Sequence, residues 1–232
     1  MAADERPNPA VPYRMPRRDE GELLDRAAGF YREMDGRRSV REFSERSVPR
    51  EAIELAIRTA STAPSGAHRQ PWRFVAIDDP AIKTRIRHAA EVEERRNYGE
   101  RMTDEFRGAV APLGTGPEKP FLEIAPWLVV VFEQPFLIDS DGTRRPNYYV
   151  RESAAIACGL FVAALHHMGL ATLPHTPSPM GFLGDICGRP ENERAILLFP
   201  VGYAADDATV PDLRRKSLDE VAVWNPAANR NE

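Results

Sequence analysis

The run WLVVVFEQ at residues 127–134 constrains this chain most. Its opening apolar residues, three of them valines, leave neither face of a strand for water. Such a run predicts a central strand covered on both sides. WRFVAI (72–77) and AILLFPVGY (195–203) read as two further strands.

Helical patterns separate these strands. Leu23, Leu24, Ala27, Phe30, Tyr31 and Met34 form an apolar stripe over residues 19–35. In SVPREAIELAIRTA, Ser47 is a candidate N-cap and Pro49 suits a first turn, with Ile53, Ala56, Ile57 and Ala60 as the buried face. Residues 79–102 read as a long charged helix, and residues 147–170 as a second long helix stopping near Gly169. Residues 108–120, rich in glycine and proline, read as a mobile loop, and Asp141-Gly142 as a turn. The first helix precedes the first strong strand, and helices outweigh strands. This pattern predicts an α+β sandwich, helices flanking a mixed central sheet, rather than a doubly wound sheet. Residues 1–18 are expected to be a flexible arm and residues 19–232 a single domain.

Several functions are excluded. Lys and Arg total 31 against 35 Asp and Glu, a net charge of −4, so no nucleic-acid partner is expected. Cys158 and Cys187 lie in no CxxC pair, and the five histidines form no HExxH, so no metal site is expected. The N-terminus lacks the apolar core of a signal peptide. The longest nearly apolar run, AAIACGLFVAAL (154–165), is short of the ~18–20 residues that cross a bilayer. It reads as a buried helix at a subunit interface. A cytoplasmic protein with reduced thiols, and no membrane partner, is the expectation. There is no GxGxxG after a strand and no GxxxxGK[ST].

Four stretches carry chemistry. Arg37-Arg38-Ser39-Val40-Arg41 packs three guanidiniums beside a hydroxyl. In an extended segment Arg37, Ser39 and Arg41 share a side, which suits a phosphate; a solvated basic face is the alternative. A second basic group, Arg214-Arg215-Lys216, lies far along the chain. TAPSGAHRQPW (62–72) is too long and too mixed for a plain connector. Its small residues admit a flat ligand close to the backbone, or it is a tight helix-to-strand link. Glu94 and Tyr98, four apart, share one helix face, and Lys119 follows in the next loop; EVEERR could equally be a solvated face.

Taken together and in order, RRSVR, TAPSGAHRQPWRFV, the helix ending in MGL and the strand LLFPVGY resemble the nitroreductase-like flavoprotein superfamily. Within it, TAPSGAH, EVEERRNYGERM, EIAPWLVVVF, NYYVRESAAIACGLFVAAL and ATVPDLRRKSLD are similar to the iodotyrosine deiodinases, over roughly residues 36–222.

The resemblance implies an FMN enzyme, built as a homodimer whose terminal segments wrap the partner, that reductively removes halogen from halotyrosines. It implies that Arg37, Arg38, Ser39 and Arg41 hold the FMN phosphate and ribityl chain, with Arg215 approaching from the second basic cluster. Pro64, Ser65 and Gly66 would line the isoalloxazine from the partner subunit. Thr176, in PHTPSPMG, matches the family's hydroxyl donor to flavin N5, a contact suited to one-electron chemistry. Pro174-His175 stands just before it, where hydroxyl-rich residues are expected in animal relatives. Glu94, Tyr98 and Lys119 match the residues that grip the amino-acid zwitterion, on a lid spanning about 88–120. The backbone N–H of Ala67, or a flavin hydroxyl, is a candidate holder of the phenolate oxygen. The reductant is NAD(P)H or a separate reductase. The alternatives are a general FMN nitroreductase or quinone reductase using NAD(P)H, and a flavin-binding module without turnover.

Overall fold

The computed structural model describes residues 9–225. They divide into two compact units with the boundary between Arg37 and Arg38.

The first unit holds helix α1 (Glu20–Asp35). Asp19 caps it by accepting the N–H of Glu22 at 2.8 Å. The expected stripe is present, but no residue of α1 is buried, and Leu23, Leu24, Phe30 and Tyr31 are exposed. Of the expected arm, residues 1–8 lie outside the described residues, and residues 9–18 are exposed without regular structure.

The second unit is the α+β body. In chain order it contains α2 (Arg50–Ala60), β1 (Trp72–Ile77), α3 (Pro80–Arg96), α4 (Asp104–Val110) and α5 (Phe121–Ile124). Then follow β2 (Trp127–Glu133), β3 (Phe136–Ile138), β4 (Arg144–Pro146), α6 (Val150–His167), β5 (Ala171–Thr172), α7 (Gly181–Ile186), β6 (Arg194–Gly202) and α8 (Leu218–Val221). The main sheet has the order β1-β2-β6-β5.

Strand β2 is buried along its whole length. Its pleat explains why both registers are apolar. Leu128, Val130 and Phe132 enter one core with Ile86, Leu122 and Leu183, under α3, α5 and α7. Trp127, Val129 and Val131 enter the other with Ile53, Phe161 and Leu165, under α2 and α6. Each such buried side chain contributes about 1.5–3 kcal/mol of transfer free energy.

Three details differ from the sequence reading. Every strand pairing in the main sheet is antiparallel; parallel pairing among the described residues is confined to the isolated bridge Ser39–Thr172. An apolar run reports burial on two faces, not strand direction. Helix α2 starts after Pro49 rather than at Ser47, because the residue before a proline is driven out of the helical region. The stretch 108–120 is partly ordered: α4 runs to Val110, and a 3-10 turn covers Ala111–Leu113.

Candidate active site

The second unit carries an open cavity of about 490 Å³. Its walls come from Arg41, the end of α3, the segment through α4 to Phe121, and residues 173–178 apart from Pro177. Glu94, Tyr98, Lys119, Arg41 and Thr176 all line it, so five of the sequence-derived candidates meet in one place.

Helix α3 sets the first two. Asp79 caps it, accepting the N–H groups of Ala81 at 2.8 Å and Ile82 at 3.1 Å, and Pro80 occupies the first turn. Glu94 lies in its last turn. The helix then widens into a π-helical turn, Asn97–Arg101, closed by Met102 N–H donating to Asn97 O at 2.9 Å. Such wide turns recur at functional sites. This one carries Tyr98, whose hydroxyl donates to Thr115 O at 3.1 Å.

Lys119 is placed by a residue the sequence reading passed over. Its backbone N–H donates to Glu91 Oε1 at 2.8 Å, and the same oxygen receives Arg87 Nε at 2.8 Å. Burial pushes the Glu91 carboxyl up, but the Arg87 and Lys119 hydrogen bonds and nearby arginine charges outweigh it and hold it below its usual range. Glu91 and Glu94 are three apart, hence on one helix face, and that spacing was the available signal.

The Lys119 ammonium donates to Thr115 Oγ1 at 3.2 Å and to Gly116 O. It lies 5.6 Å from the Tyr98 ring centroid and 3.9 Å from Glu94 Oε2. Glu94 is 7% exposed and Lys119 3%. Burial raises the Glu94 carboxyl against the opposing pull of Lys119. Burial likewise lowers the Lys119 ammonium, which Glu94 opposes and Arg41 reinforces. These two buried opposite charges stop short of a hydrogen bond, so neither has the other as a directly bonded counter-charge.

His175 completes the wall. It is 8% exposed, with Nε2 3.8 Å from Glu94 Oε1. Its Nε2 is buried without a hydrogen-bond partner among the described residues. Thr176, beside it, is exposed. Asn97 Nδ2 donates to Ser178 O at 2.8 Å, fastening this turn to the end of α3.

Of the arginine-rich stretch, Arg38, Ser39 and Arg41 belong to this unit and are half-buried. Ser39 bridges to Thr172, and Val40 N–H donates to Thr172 O at 3.3 Å, so the segment lies extended along β5. Arg37 belongs to the first unit. Arg215 is exposed and does not line the cavity.

Nor do Pro64, Ser65, Gly66 and Ala67 line the cavity. They form a separate feature with a 3-10 turn over Gly66–His68. Ser65 Oγ accepts Gln70 N–H at 2.9 Å, and Gly66 N–H donates to Ser153 Oγ at 3.3 Å. Ala67, His68 and Gln70 are left-handed, with φ of 49°, 52° and 49°. Each such non-glycine residue costs about 1–2 kcal/mol, and strain of this kind clusters at functional loops. A Cβ on Gly66 would lie 2.6 Å from Tyr148 O, so close backbone approach requires glycine there.

Among the described residues no cluster of His, Cys, Asp and Glu suits a metal, and no helix is long and apolar enough to cross a membrane.

Residues 34–203 match the model of the Nitroreductase family. An iodotyrosine deiodinase from Haliscomenobacter hydrossis is 55% identical over 92% of this chain and 96% of its own length. Iodotyrosine deiodinase 1 from Homo sapiens is 42% identical over 92% of this chain and 74% of its own. Among solved structures, an oxidized iodotyrosine deiodinase bound to FMN and 3-iodo-L-tyrosine superposes with a TM-score of 0.74 at 29% identity, covering 85% of this chain and 99% of that one. An FMN-dependent nitroreductase from Mycobacterium smegmatis, at 23% identity and a TM-score of 0.65, shares the fold; the match covers 88% of this chain and 100% of that one.

Proposed function

The chain belongs to the nitroreductase family and, within it, to the iodotyrosine deiodinases, and on that premise we propose that it is an FMN-dependent reductive dehalogenase of halotyrosines, yielding tyrosine and free halide. One observation carries the reading: Glu94 and Lys119 sit buried, 3.9 Å apart, in a cavity they share with Tyr98. A zwitterion supplies what each charge lacks. The substrate ammonium pairs with Glu94, its carboxylate with Lys119, and the Tyr98 hydroxyl bridges. A nitroaromatic or quinone has no such charges to offer.

The residues present fit FMN. Arg38, Ser39 and Arg41 are donors suited to a phosphate and the chain attached to it, Ser39 and Arg41 from one side of the extended segment and Arg38 from the other, and Arg41 opens into the cavity that Thr176 also lines. These three would hold the phosphate and ribityl chain with Arg37 and Arg215, and the exposed Thr176 hydroxyl would meet flavin N5. When bound, FMN supplies the electrons that halide loss requires.

The protein's own part is binding, orientation and exclusion of water. The zwitterion draws the end of α3 and the loop bearing Lys119 together, so that residues 88–120 close as a lid. The Ala67 N–H, on its left-handed turn, holds the phenolate oxygen.

The strained 64–70 stretch lies outside the clamp cavity, which supports a second copy supplying Pro64, Ser65 and Gly66 as the flavin-facing wall. The same reading accounts for exposed apolar surface: Leu23, Leu24, Phe30 and Tyr31 on α1, and Ile156 on α6. A homodimer covers both.

The test is anaerobic. Flavin-loaded protein is reduced, then mixed with 3-iodotyrosine. Reoxidation of the flavin with stoichiometric free iodide is expected; a flavin that stays reduced, with no iodide, overturns the assignment.

A further inference from the structure

We propose that His175 is a positioning residue for the substrate clamp, its Nε2–H orienting Oε1 of Glu94 toward the ligand's ammonium. The inference rests on the function proposed above and deepens it.

The geometry is specific. The backbone of His175 is pinned to β6: its N–H donates to Leu198 O, and its carbonyl accepts Leu198 N–H, both at 2.9 Å. Its ring meets Phe121 edge to face, with centroids 5.8 Å apart and planes at 84°. The imidazole is therefore fixed from two sides, buried, and yet Nε2 has no hydrogen-bond partner among the described residues. A buried polar atom without a partner calls for an explanation. Glu94 Oε1 stands 3.8 Å away, about 0.9 Å beyond an ordinary hydrogen bond. Closure of the α3 end onto the ligand spans that gap.

Charge explains why a histidine suits the place. Among the described residues, three ionisable groups bear on its ring: Glu94 at 3.8 Å, and Lys119 and Arg41 through their charge. Burial, with the repulsion of Lys119 and Arg41, pushes the imidazole down to about 3, so it is neutral. Glu94 already faces one cation through Oε2. A second cation on Oε1 would compete with the incoming ammonium. A neutral donor orients the carboxylate and leaves its charge for the ligand.

The test uses flavin-loaded protein and two probes: 3-iodotyrosine and its desamino analogue, in which hydrogen replaces the amino group. Flavin absorbance reports binding. His175→Phe, which keeps the ring and removes the donor, is expected to weaken iodotyrosine about tenfold, and to leave the desamino analogue unchanged. His175→Gln, with an amide donor, is expected to recover most of the loss. In a Glu94→Gln background His175→Phe adds nothing. His175→Leu replaces the Phe variant if that protein fails to load flavin. Equal affinity of the donor-less variant and wild type for iodotyrosine overturns the inference, as does equal weakening of both probes. If Glu94→Gln itself binds iodotyrosine like wild type, the clamp reading fails instead.

Discussion

The carboxylate of Glu91 accepts the backbone N–H of Lys119 at 2.8 Å, tying the helix that carries Glu94 to the loop that carries its counter-charge. One turn of α3 thus offers one carboxylate to the backbone of Lys119 and another to its ammonium.

That arrangement makes Glu91 a support for binding, not a contact. Losing a buried hydrogen bond of this kind costs about 1–3 kcal/mol. Glu91→Ala is expected to weaken iodotyrosine binding about tenfold while flavin content stays near wild type. Glu91→Gln, whose amide oxygen still accepts the Lys119 N–H, is expected to fall between the two. Binding by Glu91→Ala at wild-type affinity contradicts the linkage.

His175 gives stability a pH dependence whose sign follows from burial. The folded state keeps the ring neutral down to about 3, while an unfolded histidine takes a proton near 6.5. Between those values the unfolded chain binds the extra proton, so stability present above pH 6.5 is lost as pH falls. From pH 7 to pH 5 this amounts to about 2 kcal/mol. Urea unfolding of wild type and His175→Phe at both pH values checks it. The upward displacement of the Glu94 carboxyl acts in the opposite sense and is shared by both proteins. Wild type is expected to lose about 2 kcal/mol more than the variant; parallel declines contradict the assignment.

At Gly66 an added Cβ meets Tyr148 O at 2.6 Å and Tyr149 Cδ2 at 2.9 Å. Backbone cannot swing aside as a side-chain tip does. Gly66→Ala is expected to lose about 1–3 kcal/mol and to displace the 64–70 turn. Thermal unfolding and flavin content report both. A variant as stable and as yellow as wild type contradicts the close approach.

On α6, Ser153, Ala154, Ala157, Cys158, Phe161 and Leu165 face the core, while Ala155, Ile156 and Gly159 are exposed. If a second copy covers that face, Ile156→Glu places a charge in an apolar contact. Analytical ultracentrifugation is expected to show wild type as a dimer and the variant as a monomer with reduced flavin. A monomeric, flavin-loaded wild type contradicts the dimeric site.

Much of this was legible in the sequence where local chemistry decides structure. WLVVVF announced a strand buried on two faces, and Glu94 with Tyr98 announced a shared helix face. The place of Lys119 beside them came through resemblance, because 24 residues separate it from Glu94 and no periodicity spans such a loop. The short hairpin β3–β4 carries too little pattern to be read, with only three residues per strand and β4 exposed throughout. His175 was visible only as a departure before Thr176. Its meaning depends on β6 pinning its backbone and on Phe121 packing its ring, contacts that arise only when distant segments meet.

The central claim is that Glu94 grips the substrate's ammonium, and one measurement addresses it most directly: the dissociation constant of 3-iodotyrosine from flavin-loaded wild type and Glu94→Gln, followed by flavin absorbance. Removing one partner of a buried charge pair costs at least about 2 kcal/mol. The account predicts that Glu94→Gln keeps its FMN and binds iodotyrosine at least about 30-fold more weakly. Equal affinities for the two proteins would contradict it.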